Sequence, residues 1–154
     1  MSVAFRRESD EEHLEPKFER PLPPGPNLVT ERGLTIIRAK IAELDAAVIA
    51  AEDAKRDAIK RDLRYWRTRD SSAIVAPLAT GDIVAFGTQV TFKQDETTRK
   101  IAIVGSDEAD GSADHVPFTA PLARAMMGLM RGDLVDFNGM ADAIEIIAIR
   151  PLIT

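Results

Sequence analysis

The chain is predicted to be α+β: an N-terminal antiparallel helical hairpin (a coiled coil), then a small antiparallel sheet domain with one helix. Between residues 30 and 72 apolar side chains recur at helical spacing, and no proline interrupts from Asn27 to Ala76. Beyond Gly81 the period changes to the alternation of strands. Charge divides the chain at the same place. Residues 29–80 hold 10 bases against 8 acids, and residues 81–154 hold 6 against 11.

Residues 1–28 contain five of the nine prolines, Pro16, Pro21, Pro23, Pro24 and Pro26. Proline removes backbone donors and holds the chain extended, so this stretch reads as a disordered or loosely docked arm. Phe5, Leu14 and Phe18 are its candidate anchors. Residues 29–75 are the hairpin. Thr30 is placed to cap the first helix, with Glu31 in its first turn. Leu34, Ile37, Ile41, Leu44 and Val48 follow at the 3–4 spacing of a coiled-coil seam. Ile59, Leu63, Trp66 and Ala73 form a second set, interrupted by Asp70. Pairing Val48 with Ile59, Leu44 with Leu63 and Ile41 with Trp66 puts the fold-back near Asp53–Ala54. The competing arrangement is one long dimerising helix, since no Gly, Pro or Asn marks the turn.

Residues 76–81 read as a linker and 82–154 as the second domain. Strands are expected over 83–92, with Gly87 as a bulge or turn, and over 100–104, 116–119, 134–137 and 143–149. Gln94 to Thr98 is a polar turn and Gly105 to Asp114 an acidic loop. Pro121 suits the first position of a helix through Leu129.

The composition excludes several classes of function. The chain has 154 residues, 45% of them hydrophobic, which suffices for a core. Cysteine is absent, so there are no disulfides, thiolate metal sites or Cys nucleophile, as fits a reducing cytoplasm. No apolar run is long enough for a membrane span, and the charged N-terminus does not read as a signal peptide. The two histidines, His13 and His115, are far apart in sequence and are read as solvated. Phosphate-loop and nucleophile-elbow patterns are missing. No enzyme, cofactor, resident metal or small-molecule substrate is therefore expected. Met126, Met127 and Met130 read as core filler.

Two charged groups are candidate sites. Glu52, Asp53 and Asp57 cluster at the fold-back, where carboxylates can help hold a hard divalent cation if a partner supplies other oxygens, or simply solubilise a turn. Lys55, Arg56, Lys60, Arg61, Arg64, Arg67 and Arg69 stud the second helix around Tyr65 and Trp66. They suit phosphate binding, or equally a solvated face balanced by Asp57, Asp62 and Asp70.

The stretch Ile103-Val104-Gly105-Ser106-Asp107-Glu108-Ala109-Asp110, followed by Pro121-Leu122-Ala123-Arg124-Ala125 and Gly132-Asp133, resembles the C-terminal domain of the bacterial Gre transcript-cleavage factors. Asn27 to Leu34 looks like the entry to their helical hairpin. The resemblance covers residues 28–153. It implies an FKBP-like C-terminal domain that docks on RNA polymerase at the mouth of its secondary channel. It also implies a coiled coil that enters the channel, where acidic tip residues help hold a second Mg²⁺. Carried to this sequence, the docking region is Gly105, Ser106, Asp107, Glu108 and Asp110 together with Thr119, Pro121 and Leu122. The tip departs from the pattern. Ala50-Ala51-Glu52-Asp53-Ala54-Lys55 stands where relatives carry an Asp-Leu-Ser-Glu-Asn type motif on a longer hairpin, and Thr119-Ala120 stands where relatives often have Ser. In this it is similar to the shorter relatives called regulators of nucleoside diphosphate kinase. The expectation is a cytoplasmic polymerase regulator with little cleavage stimulation. The rivals are direct contact of the basic helix with RNA or DNA, and prolyl isomerase activity using Phe86, Phe92, Phe118 and Phe137. That aromatic set is better spent as core.

Overall fold

The computed structural model describes residues 19–109 and 114–152. His13, Asp110 and the three arm anchors lie outside these. In order the elements are β1 (Leu28–Val29), α1 (Glu31–Ala50), α2 (Asp53–Ser72), β2 (Ile74–Val75), β3 (Thr88–Gln94), β4 (Thr97–Val104), β5 (His115–Pro117), α3 (Pro121–Met126), β6 (Leu134–Phe137) and β7 (Met140–Pro151). Two compact units form. One holds the described residues up to 24 with 37–72, the other 25–36 with 73 onward.

In the first unit the chain folds back as a hairpin. Ion pairs between α1 and α2, Arg38–Asp70 at 3.0 Å and Asp45–Arg67 at 2.6 Å, run in opposite order along the two helices, which makes them antiparallel. Ile37 is fully buried, and Ile41, Leu44 and Val48 are half-buried. Leu63 and Trp66 are buried on α2, with Ile59 half-buried. The helices break at Ala51–Glu52, slightly before the expected Asp53–Ala54. The seam symmetry assumed a turn of no length. The backbone instead reverses by giving Asp53 a positive φ of 23°, and Asp tolerates that region better than most residues.

The face that α2 buries is wider than one seam. Tyr65 and Arg69 are buried beside Leu63 and Trp66, and Tyr65 meets Trp66 edge to face at 5.1 Å. Arg20 of the arm lies 3.9 Å above the Tyr65 ring. The end of the expected loose arm is therefore seated on α2.

The second unit begins earlier than the expected boundary at residue 82. β1 pairs in parallel with β2, Leu28 opposite Ile74 and Val29 opposite Val75. The Ala76 N–H donates to the Val29 carbonyl at 3.0 Å. Residue 28 is thus strand and not arm, and the 76–81 stretch starts inside this unit instead of dividing two.

The main sheet runs β5-β4-β3-β7-β6. It is mixed, where an antiparallel sheet was expected, because β5 pairs parallel to β4. The 105–114 connection is long enough to carry the chain back to the starting edge, which a tight hairpin cannot do. Two hairpin turns are of the type that matches strand twist. Asp95 and Glu96 take φ of 53° and 66°, Asn138 and Gly139 take 53° and 79°. The strands on either side of Gln94–Thr97 consequently extend further than expected. The expected strand at 83–92 is divided: Gly87, at φ 86°, closes a turn in which the Thr88 hydroxyl donates to the Ala85 carbonyl at 2.6 Å. The α3 helix ends at Met126 and not Leu129, because Met127 is extended and Gly128 takes φ 89°. An extra residue in β7, Ile147, makes a bulge opposite Thr91–Phe92 and bends the sheet over its core. That core is Val84, Val90, Phe92, Ile101, Ile103, Ala123, Met126, Ile144 and Ile146, with Phe118, Leu122, Met127 and Phe137 packed against it. Met130 is exposed and is not core.

Leu63→Asp is expected to unfold the hairpin, since burying an unpaired carboxylate costs about 3 kcal/mol or more. Far-UV helicity should fall while the amides of β3, β4 and β7 keep their protection from hydrogen exchange. Simultaneous loss of both signals would count against two separate units.

Candidate functional site

At the hairpin tip the last carbonyls of α1 lack helical partners. Arg56 supplies one, its guanidinium donating to the Ala51 oxygen at 2.9 Å, while the Arg56 N–H bonds the Glu52 carbonyl at 3.0 Å. Arg56 is thereby committed to the turn. Glu52, Asp53 and Asp57 are exposed. Among the described residues no group of three or more His, Asp or Glu is arranged to hold a metal ion. The tip offers carboxylates that need a partner's oxygens to complete any cation site.

The basic face of α2 is partly neutralised from within. Arg67 pairs with Asp45. Arg64 grips Glu19 through two parallel hydrogen bonds, the Nε contact at 3.0 Å. Arg20 approaches Asp62 at 3.7 Å. Lys55 and Lys60 are exposed, and Arg61 is half-buried. Arg69 does not belong to this surface, being 4% exposed. Ala58, Asp62, Tyr65 and Arg69 repeat at 4, 3 and 4 residues, the first two half-buried and the last two buried, a helical signal hidden by its charged members. The Glu19–Arg20 contacts have no counterpart in the sequence pattern.

The acidic loop after β4 proves to be two things. Gly105 and Glu108 are buried and cannot meet a partner, contrary to their expected role. A Cβ on Gly105 would lie 2.5 Å from the Leu28 carbonyl oxygen, so only glycine lets β1 approach. The Glu108 carboxylate accepts from the Thr30 hydroxyl at 2.6 Å and from Arg32 at 2.7 Å. That same Thr30 oxygen accepts the Gly33 N–H at 2.9 Å, the N-cap bond expected for Thr30. Ser106 and Asp107 are half-buried and remain within reach of the surface.

Because β4 and β5 run parallel, the segments that follow them leave the sheet at the same end. Val104 pairs beside Pro117, and the Phe118 N–H bonds the Val104 carbonyl at 2.9 Å. Ser106–Asp107 and Thr119–Pro121 therefore emerge together. Thr119 and Pro121 are exposed, whereas Leu122 is half-buried against the core and is first a packing residue. His115 is half-buried in β5, where a solvated residue was expected.

Both loops fall inside residues 79–151, which match the family model "Transcription elongation factor, GreA/GreB, C-term". Transcription elongation factor GreA of Brucella canis is 36% identical over 123 residues, covering 71% of this chain and 78% of that protein. The chain belongs to the GreA/GreB family of transcription elongation factors. The GreA of Bradyrhizobium diazoefficiens is 41% identical over 71 residues, and there the match spans 44% of this chain and 45% of the relative. Among solved structures, GreA factor homolog 1 of Thermus thermophilus aligns over 82% of this chain and 99% of its own, at 15% identity and a TM-score of 0.38. A GreA/GreB factor from Nitrosomonas europaea aligns over 82% and 98%, at 16% identity and 0.40. No helix among the described residues of this Gre-family chain is long and apolar enough to cross a membrane.

Two predictions follow from these contacts. Glu108→Ala removes a buried acceptor from Thr30 and Arg32 and should destabilise the sheet unit by about 2–3 kcal/mol. The check is denaturant unfolding followed on that unit, with Thr119→Ala as the exposed control, expected within about 0.5 kcal/mol of the parent. The second concerns pH. The hydrogen bond from Arg64 holds the Glu19 carboxyl below its ordinary 4.5, aided by the charges of Arg64 and Arg61 and opposed by desolvation. Lys60 and Asp57 line the same groove. A lowered carboxyl favours the seated arm above its free pKa, so the contact is complete at neutral pH and lost as pH falls below about 4.5. Acid titration of Trp66 emission should show the step, and Glu19→Gln should abolish it.

Proposed function

We propose that this Gre-family factor regulates transcription by binding RNA polymerase near its secondary channel through the sheet unit and presenting the hairpin to the channel, in the cytoplasm and with no catalysis of its own. The observation that carries this reading is the emergence of Ser106–Asp107 and Thr119–Pro121 from one end of a parallel strand pair, within the family-matched stretch. Two loops on adjacent strand ends make a rigidly based patch, and a few central residues of such a patch dominate binding. Retention of core RNA polymerase by the immobilised protein supports the reading, and failure to retain it at micromolar concentration overturns it.

The tip chemistry argues for little stimulation of transcript cleavage. Mg²⁺ demands near-octahedral oxygens at about 2.0–2.1 Å, and an exposed charge displaced by more than about 10 Å is largely screened. Each 20-residue helix extends about 30 Å, which sets the reach of Glu52 and Asp53. A factor of that reach acts by occupying the channel entrance. A second reading, direct contact of α2 with nucleic acid, is favoured by exposed Lys55 and Lys60.

Pro121→Asp is expected to weaken polymerase binding at least tenfold, about 1.4 kcal/mol, with Glu52→Ala within twofold of the parent. Equal losses would make the hairpin the main contact. In a backtracked elongation complex with Mg²⁺, transcript length should stay as without the factor. Rapid shortening abolished by Glu52→Ala/Asp53→Ala would reverse the cleavage reading.

A further inference from the structure

The arm contact on α2 has the form of a ligand contact made within one chain. Glu19 presents its carboxylate to Arg64 in the paired, planar geometry by which guanidinium groups recognise carboxylates and phosphates. Next to it, the Arg20 guanidinium lies 3.9 Å over the Tyr65 ring and 5.5 Å from Trp66, with Asp62 at 3.7 Å. Glu19 lines an open groove with Lys60, Arg61 and Arg64 and with one further acid, Asp57, so its carboxylate sits where three cations against one other anion would draw a negative group. The adjacent Glu19 and Arg20 thus satisfy opposite charges on α2, Glu19 a cation and Arg20 an anion. The charged members of the contact are at the surface, over the buried rings of Tyr65 and Trp66. Side-chain exposure is 58% for Arg64 and 49% for Glu19, 41% for Arg20 and 38% for Asp62. Contacts that exposed are screened by salt and easily exchanged.

We propose that Glu19 and Arg20 form a displaceable strap over the anion-binding face of α2, so that Lys60, Arg61 and Arg64 engage RNA phosphates only when the strap lifts. The choice of RNA rests on the second reading above, contact of α2 with nucleic acid; the strap itself rests on the contacts alone. A face masked for part of the time binds its ligand more weakly in proportion to the unmasked fraction. Glu19 acts as an internal competitor, and removing its charge raises the fraction that is open.

Trp66 is the single tryptophan, and Arg20 packs near it, so the strap has its own optical probe in the full-length chain. Glu19→Gln and Arg20→Ala are each expected to shift Trp66 emission to the red and increase its quenching by acrylamide, as should raising the salt on the parent. Unchanged quenching in both variants would overturn the strap. Fluorescence anisotropy with a short labelled single-stranded RNA at low salt then tests the masking. Glu19→Gln should bind about threefold to tenfold tighter than the parent, and Arg64→Gln should bind weaker than either. Equal affinity of parent and Glu19→Gln, or no binding by either, would overturn the masking of an RNA site. Retention of polymerase is read in a separate assay, so failure here is distinguishable from failure of the docking proposal.

Discussion

One hydroxyl, that of Thr30, both accepts the first-turn N–H of α1 and donates to the buried Glu108 carboxylate, and the start of α1 depends on it. The Thr30 oxygen accepts the Gly33 N–H, which would otherwise be an orphan donor at the start of α1. The same hydroxyl donates to the Glu108 carboxylate at 2.6 Å. The Glu108 side chain is 3% exposed, and a carboxylate that deeply placed requires compensation. It receives this from the Thr30 hydroxyl, from Arg32, and from the positive end of the helix, whose first turn lies alongside. Gly33 suits that place, because a Cβ there would stand 2.9 Å from the carboxylate oxygen and push the Glu108 side chain aside.

That constraint propagates along the chain on both sides. Thr30 follows β1, which pairs with β2 through main-chain bonds from Ile74 to Asn27 and from Ala76 to Val29 and passes close against Gly105, all within the second unit. The 105–108 turn is held by the buried Glu108, with Ser106 and Asp107 half-buried beside it. Acidic residues next to each other in sequence thus have opposite duties. The loop buries the Glu108 carboxylate and leaves that of Asp107 half-buried.

The hairpin obeys a different balance. Its α2 helix is rich in arginine yet buries Tyr65, Trp66 and Arg69, and the charges around them are matched by Asp45, Asp62 and Glu19. Surface pairs of this kind contribute about 0–1 kcal/mol each, so the hairpin rests mainly on its apolar seam. The weakness of the pairs leaves the charged face free to exchange partners without unfolding what lies below.

Much of this was present in the residue pattern. The 3–4 spacing from Leu34 to Val48 determined a helix and its buried side, and the alternation after Gly81 determined strands, because side-chain periodicity is local to one element. Thr30 as a cap and Pro121 as a helix start were legible for the same reason. The resemblance of residues 103–110 and 121–125 to the Gre factors pointed to the family and to both loops of the proposed docking patch. What needed tertiary structure was every fact about who faces whom. Glu108 and Asp107 are indistinguishable as acidic loop residues, and only the approach of Thr30 and Arg32 buries the first. The parallel partnership of β4 with β5 depends on the path of a connection whose sequence shows only a polar loop. The seat of Glu19 and Arg20 on α2 joins residues 45 positions apart, and no periodicity reaches across a proline-rich arm to record it.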